Sequence, residues 1–375
     1  IEINTDMSSF KYSLLFVLIV ALCCSCEKNV PAPTTVKEAV DHAVFPYIAT
    51  GANVGVIVGV IKNGDRQIFS YGEKEPGGLS QIEPTSVLEI ASITKAFTAI
   101  ALANMHLRGE LNLDDPIEKF LPAEVKVPSF NGKKITLRHL ANHTSGFPRL
   151  PSNMNDDAYN PYVGYTEQNM YEFVNGYTLD REPGSKLEYS NVGYGLLGQI
   201  LCSRSQSGYE EMVIRNVLRP LGMTHTTVSF TEEQLSNLVS GHHGNKTVES
   251  WSQYMANIFQ GTGSLISTMN DMLIFLEANM ATVNNPLKEA ISLTHQRTFT
   301  HDGDHQDGIG LGWTLVAYDQ KQYIWKNGGN GGYTSFIGFD ESSKTGVVIL
   351  SNSSLNPDPF QTQMGFEILR AINGQ

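Results

Sequence analysis

Leu88-Glu89-Ile90-Ala91-Ser92-Ile93-Thr94-Lys95-Ala96-Phe97-Thr98-Ala99-Ile100-Ala101-Leu102-Ala103 is the stretch on which the reading of the chain turns. From Ser92 on it is expected to be a helix. Its residues are good helix formers, its apolar positions recur at three and four, and no Gly or Pro intervenes before Gly109. Ser92 falls at the start, where serine is a favoured cap. Lys95 lies one turn further on the same face. A lysine on an apolar helix loses charge stabilisation, so its pKa falls and it can take a proton from a neighbouring hydroxyl. The helix start adds free N–H groups and a positive field beside that oxygen. This is the equipment of an activated serine nucleophile. Ser-x-x-Lys also arises by chance on the order of once in a chain this long, as at Ser8-Ser9-Phe10-Lys11, so other residues must decide.

Working outward, Val36–Tyr47 has helical character. Val54–Lys62 and Gln67–Tyr71 are strand-like runs joined at Asn63-Gly64-Asp65, a hairpin signal. The chain is expected to be helical and loop-rich from about 92 to 281, with a long loop at Pro148–Tyr165. Strand character returns at Gly312–Tyr318, Gln322–Lys326, Thr334–Phe339 and Gly346–Ser351, before a closing helix at Phe360–Ala371. Strands at both ends with helices between predict an α+β fold: a sheet assembled from the two chain ends, with an inserted, mostly helical lobe and a cleft between.

The 375 residues are 41% hydrophobic, enough for a substantial core. A net charge of −12, without any basic block, argues against nucleic acid as a partner. Met7 reads as the start of a leader, with Lys11 as its positive residue and Leu14–Cys24 as its apolar run. The ending Ser25-Cys26 resembles a bacterial lipoprotein signal in which Cys26 is acylated. That makes residues 1–26 a signal region, 27–35 a linker and 36–375 the folded domain, exported and tethered to the bacterial membrane. An ordinary cleaved signal and a retained anchor helix are the alternatives. Three of the four cysteines lie in the leader, so Cys202 has no disulfide partner and reads as a small core residue.

Two further elements bear on Ser92 and Lys95. Tyr189-Ser190-Asn191 precedes a helical run and offers a phenol for proton transfer and an amide for a substrate carbonyl. It reads equally as a helix cap with a packed tyrosine. Lys326-Asn327-Gly328, at a strand end, runs into Gly329-Asn330-Gly331-Gly332-Tyr333. There a cation can meet a carboxylate, and the glycines admit a substrate backbone. A hairpin turn with a solvated lysine is the alternative. His301–Asp307 could gather a metal but has no helical scaffold or EF-hand register, so neither a metal nor a cofactor is expected. His242-His243 reads as loop, and His139 and His143 as structural.

Taken together, and with Leu107–Leu121, Ile135–Pro148, Leu218–Thr224 and Thr334–Asp340, these elements resemble the serine penicillin-recognising family: class C β-lactamases, D-alanyl-D-alanine carboxypeptidases and related esterases. The resemblance covers nearly the whole chain after the leader. It implies a β-lactamase/transpeptidase-like fold with an antiparallel sheet. It implies Ser92 as nucleophile, Lys95 as base or proton relay, Tyr189 as second acid/base and Asn191 as ligand of the substrate amide. Lys326 stands for the lysine of Lys-Thr-Gly, with Asn327, Gly328 and Gly329 beside it on the substrate-binding edge. The N–H groups of Ser92 and Gly329 would form the oxyanion hole. The chain departs from the strict class C pattern, which has Gly before the serine and Thr after the second lysine. Lys95 and Lys326 are expected to favour the phenolate of Tyr189. The substrate stays open among a β-lactam, a D-alanyl peptide and an ester, as does a non-catalytic role in binding penicillin or peptidoglycan.

Overall fold

The computed structural model describes residues 33–51, 53–154, 159–300, 307–318, 321–354 and 360–374. The leader with Cys26, most of the linker, and residues 301–306 of the candidate metal loop lie outside the described residues. Thr35–Gln375 forms one compact unit.

Its frame is an eight-stranded antiparallel sheet, fed from both ends of the chain as expected. The first helix, α1 (Val36–Ala49), leads into β1 (Gly55–Lys62) and β2 (Asp65–Gly72). Lys62 pairs with Asp65 across Asn63 and Gly64, both at positive φ, the tight turn that the Asn-Gly pair favours. The remaining six strands come late: β3 (Phe299–Thr300), β4 (Gly308–Ile309), β5 (Thr314–Tyr318), β6 (Lys321–Gly329), β7 (Thr334–Asp340) and β8 (Thr345–Ser351). The order is β2-β1-β8-β7-β6-β5-β4-β3. β1 and β8 close the two chain ends on each other, with Val56 opposite Ser351 and Lys62 opposite Thr345.

Both faces of the central strands are covered, which is why they read as unbroken apolar runs rather than alternating ones. Val56, Val58, Val60, Phe336, Val347 and Ile349 share a cluster with α1 and the C-terminal helix Phe360–Ile372. Ile57, Ile61, Ile337, Phe339, Val348 and Leu350 face the larger core of the helical lobe. Gly59 shows how closely that lobe approaches. A Cβ there would lie 2.6 Å from Sδ of Met269, at the start of helix Met269–Asn279.

The strand-like reading of Gln322–Lys326 stops too early, since β6 runs through Asn327 and Gly328 to Gly329. His242-His243 is not loop: Gly241–His243 is a strand between Lys246–Val248 and Ser353–Ser354. Among the described residues no helix is long and apolar enough to cross a membrane.

Candidate active site

The stretch bearing Ser92 enters as a two-residue strand, Leu88–Glu89, paired with Ile266–Ser267. It then turns through a 3-10 segment, Ala91–Ile93, into helix Thr94–Leu107. Ser92 therefore lies inside the turn and caps nothing with its side chain, contrary to the capping expectation. Ala91 holds φ at +46°, a left-handed conformation that costs an L-residue about 1–2 kcal/mol. The turn presents Ser92 Oγ to two partners. Tyr189 donates to it at 2.8 Å, and Lys95 Nζ lies 3.2 Å away. Lys95 is fully buried and donates to the Thr262 carbonyl at 2.7 Å, which fixes the amine.

Tyr189 is placed by the cap that the sequence offered as its alternative. Ser190 accepts the Gly193 N–H at 2.9 Å and starts helix Asn191–Ser205, while its own hydroxyl donates to the Pro148 carbonyl. The cap and the site contact occur together. Beside Tyr189, His143 stacks with ring centroids 4.5 Å apart and takes the Ser190 N–H on Nδ1. Three cations approach the phenol ring: Lys95 and Lys326 Nζ at 4.9 Å and Arg149 Cζ at 5.1 Å from its centroid.

The expected phenolate does not follow. Burial pushes the Tyr189 hydroxyl up, with only the Ser92 hydrogen bond and Arg149 opposing it. The reason is that burial also strips the lysines. Lys95 is held well below the usual range by burial and by the charges of Lys326 and Arg149. Lys326 is pulled down to about 8 by burial and Arg149. Both lysines shed their protons before the pH at which so high a phenol would ionise, so neither can draw it down. The resting site thus holds a protonated phenol and an amine biased toward its basic form.

β6 supplies the other wall. Gly328 has to be glycine, because a Cβ would sit 2.6 Å from the Ile90 carbonyl and 2.8 Å from the Ser92 nitrogen. Asn330 N–H donates to Tyr333 O, which sets the antiparallel alternation. Asn327 and Gly329 then turn their backbone groups away from β7, toward the edge β5 leaves open beyond the Thr314–Trp325 pair. Gly329 N–H is free to serve an oxyanion beside Ser92. The same alternation removes the Asn327 side chain from the site. Its Nδ2 donates to Thr362 Oγ1 on the C-terminal helix at 2.9 Å, so only its backbone lies on the binding edge.

Asn191 is buried and donates to the Tyr162 hydroxyl at 2.8 Å, leaving Oδ1 without a partner. An amide with a free oxygen at this place can accept an N–H. Sequence reasoning missed Arg149, Thr262 and Tyr162. Thr262 acts through a backbone carbonyl and has no signature. Arg149 had one faint signal, a loop cation with no acidic residue within four positions. Among the described residues no cluster of three His, Cys, Asp or Glu could hold a metal.

Comparisons with known proteins agree with this architecture. The family model described as Beta-lactamase matches residues 40–367. The D-alanyl-D-alanine-carboxypeptidase/endopeptidase AmpH of Escherichia coli (strain K12) is 29% identical over 361 residues, covering 92% of each chain. A beta-lactamase of Pseudomonas fluorescens is 27% identical, over 91% of this chain and 99% of its own length. Among solved structures, a class C beta-lactamase superposes with a TM-score of 0.79 at 22% identity, over 91% of this chain and 97% of that one. A beta-lactamase/D-alanine carboxypeptidase from Yersinia pestis gives 0.78 at 24%, over 90% and 98%. With the family model spanning most of its length, this chain belongs to the beta-lactamase family and is a serine hydrolase.

Proposed function

We propose that the enzyme opens a carboxylate-bearing amide, a β-lactam or a D-alanyl peptide, through an acyl-enzyme on Ser92. The observation that carries this is the position of Ser92 Oγ between a protonated phenol at 2.8 Å and a buried amine at 3.2 Å. Lys95, biased toward its neutral form, takes the Ser92 proton as Oγ attacks the carbonyl. The N–H groups of Ser92 and Gly329 stabilise the oxyanion, and Tyr189 passes its proton to the leaving nitrogen. Asn191 Oδ1 accepts from the substrate amide. Intact-mass analysis after mixing with a penicillin, a cephalosporin and p-nitrophenyl butyrate, alongside steady-state turnover, tests this. An adduct from the ester alone would favour the esterase of the same fold.

Charge favours an anionic substrate. Lys326 and Arg149 flank Tyr189, although the protein as a whole carries −12. Lys326 is only 5% exposed, and a charge-assisted contact to a carboxylate there is worth about 1.5–3 kcal/mol. Lys326→Ala is expected to cost about 10–100-fold in kcat/KM on a β-lactam and much less on a neutral ester. Arg149 is exposed, so Arg149→Ala should cost at most about fivefold on the same β-lactam, an effect that added salt erases. Equal losses on both substrates for Lys326→Ala would remove the carboxylate role. The preference for charged substrates should also weaken as the pH rises past about 8, where Lys326 sheds its proton.

We also propose that the enzyme works outside the cytoplasm, tethered by lipid on Cys26. The support is the short apolar run ending in Ser25-Cys26 ahead of a Pro-containing spacer. A Cys26→Ala protein should move from the membrane to the soluble fraction. If it stays membrane-bound and the wild type carries no lipid, the tether is refuted.

A further inference from the structure

Glu89, three residues before Ser92, is a fully buried carboxyl with no part in the proposed chemistry. Its Oε2 accepts from Asn330 Nδ2 at 2.5 Å, and Ser250 and Ser252 also hydrogen-bond the carboxyl group. Asn330 follows Gly329 directly and opens the turn between β6 and β7. The same amide nitrogen lies 3.3 Å from the Gly263 carbonyl and 3.4 Å from Ser252 Oγ. All three neighbours are acceptors, which fixes the amide with its nitrogen inward. Gly263 adjoins Thr262, whose carbonyl holds Lys95. One side chain therefore joins three backbone segments that meet at the reacting atoms: the turn bearing Ser92, the strand end bearing Gly329, and the segment that seats Lys95.

Other links join the Ser92 turn to its neighbours: Glu89 pairs with Ile266, and Leu265 N–H donates to Thr94 Oγ1 at 3.2 Å. Ser335 Oγ donates to the Ile90 carbonyl at 2.8 Å, and Ile90 N–H donates to Leu265 O at 3.0 Å. None of these reaches past Gly328 to the hairpin tip, which is tied on its far side, where Ser354 Oγ donates to Gly331 O at 2.8 Å and His242 N–H to Gly332 O at 3.1 Å. Gly329 itself is exposed, and a Cβ there would meet nothing within 4 Å, so packing does not hold its N–H in place.

We propose that Glu89 and Asn330 are positioning residues whose buried hydrogen bond holds the Gly329 N–H, and with it the oxyanion hole, at the working distance from Ser92. This rests on Ser92 being the nucleophile. A donor displaced by about 1 Å loses on the order of a hundredfold in rate, because an oxyanion contact acts only on the transition state. The loss should therefore fall on kcat rather than KM.

The test measures acylation by a fluorescent penicillin, hydrolysis of p-nitrophenyl butyrate, affinity for phenylboronic acid and thermal unfolding. Asn330→Ala is expected to lower kcat about 10–100-fold, leave KM within about threefold, and weaken the boronate, which mimics the tetrahedral intermediate, in the same proportion. Glu89→Ala should match it. Glu89→Gln keeps an acceptor oxygen and nearly the same volume, and should stay within about threefold of wild type. If Asn330→Ala does not fold, Asn330→Ser carries the same expectation, being too short to reach Glu89. A folded variant with wild-type kcat and boronate affinity, whatever its unfolding temperature, would show the contact to be structural only and overturn the proposal. So would a Glu89→Gln as impaired as Glu89→Ala. Wild-type protein that no probe labels at Ser92 would instead overturn the nucleophile on which the proposal rests.

Discussion

Ser92→Ala should be a folded protein that forms no covalent adduct with any acylating probe and turns over at least about 10⁴-fold more slowly than wild type. The expected size follows from the proposed chemistry. Without Oγ no acyl-enzyme can form, and the remaining donors on Ser92 and Gly329 have only bulk water to assist. The fold should survive, because Ser92 caps no helix and, among the described residues, its hydroxyl hydrogen-bonds with Tyr189 and Lys95 alone. Intact mass and the circular dichroism spectrum are read side by side. An adduct of unchanged stoichiometry on the alanine variant would place the nucleophile elsewhere.

Lys95 carries the second large effect, and its sign differs between activity and stability. Lys95→Arg keeps a positive charge but cannot yield a base, so it should lose about 10²–10⁴-fold in acylation rate. In the wild type, acylation should fall as the solution is acidified through the lowered Lys95 pKa, because protonation removes the base. Stability runs with the same protons. Between that lowered value and 10.5 the unfolded chain binds more protons than the native one, so stability rises with pH across the window. Below it the lysine must be buried charged, and the cost is complete. Lys95→Met, apolar and of similar length, should therefore unfold at a higher temperature than wild type near neutrality while acylating no faster than Lys95→Arg. A Lys95→Met protein less stable than wild type at neutral pH would show that the Thr262 and Ser92 contacts outweigh desolvation. A rate independent of pH on the acid side would remove Lys95 as the base.

What could be read from the sequence was local. Asn63-Gly64 gave a hairpin because two positive φ values suffice to build one, and Ser190 gave a cap because its hydroxyl needs only the next turn. The apolar runs of β1, β7 and β8 announced strands, and the structure shows them covered on both faces. Features that depend on a distant partner were hidden. His242 sits in a strand held between Thr247 of a local hairpin and the distant Ser353, and only the first of these partners is near in sequence. The direction of the Asn327 side chain was hidden by parity: once β6 extends to Gly329, alternate residues face opposite ways, and Asn327 falls on the side of Thr362. The phenol of Tyr189 was misjudged for an electrostatic reason. Counting neighbouring lysines ignores that burial makes both lose their protons before the phenol would ionise, so only Arg149 keeps its pull at that pH. Arg149 itself acts from an exposed loop, where pattern carries little information.

The pairing of β1 with β8 has a consequence for how the enzyme comes into being. Val56 cannot meet Ser351 until nearly the whole polypeptide has been made, so the sheet closes late and its contact order is high. The helical lobe, rich in short-range contacts, can form earlier and already carries Ser92, Lys95 and Tyr189. Gly328 and Gly329 arrive only with β6, and β6 is held in the sheet through β7 and β8. A nascent or truncated chain ending before residue 345 therefore owns the nucleophile without a completed oxyanion hole. On the proposed chemistry, acylation of Ser92 should switch on only when the last strands have docked, and the rate at which a refolding sample regains labelling by a penicillin should report the closing of the two chain ends.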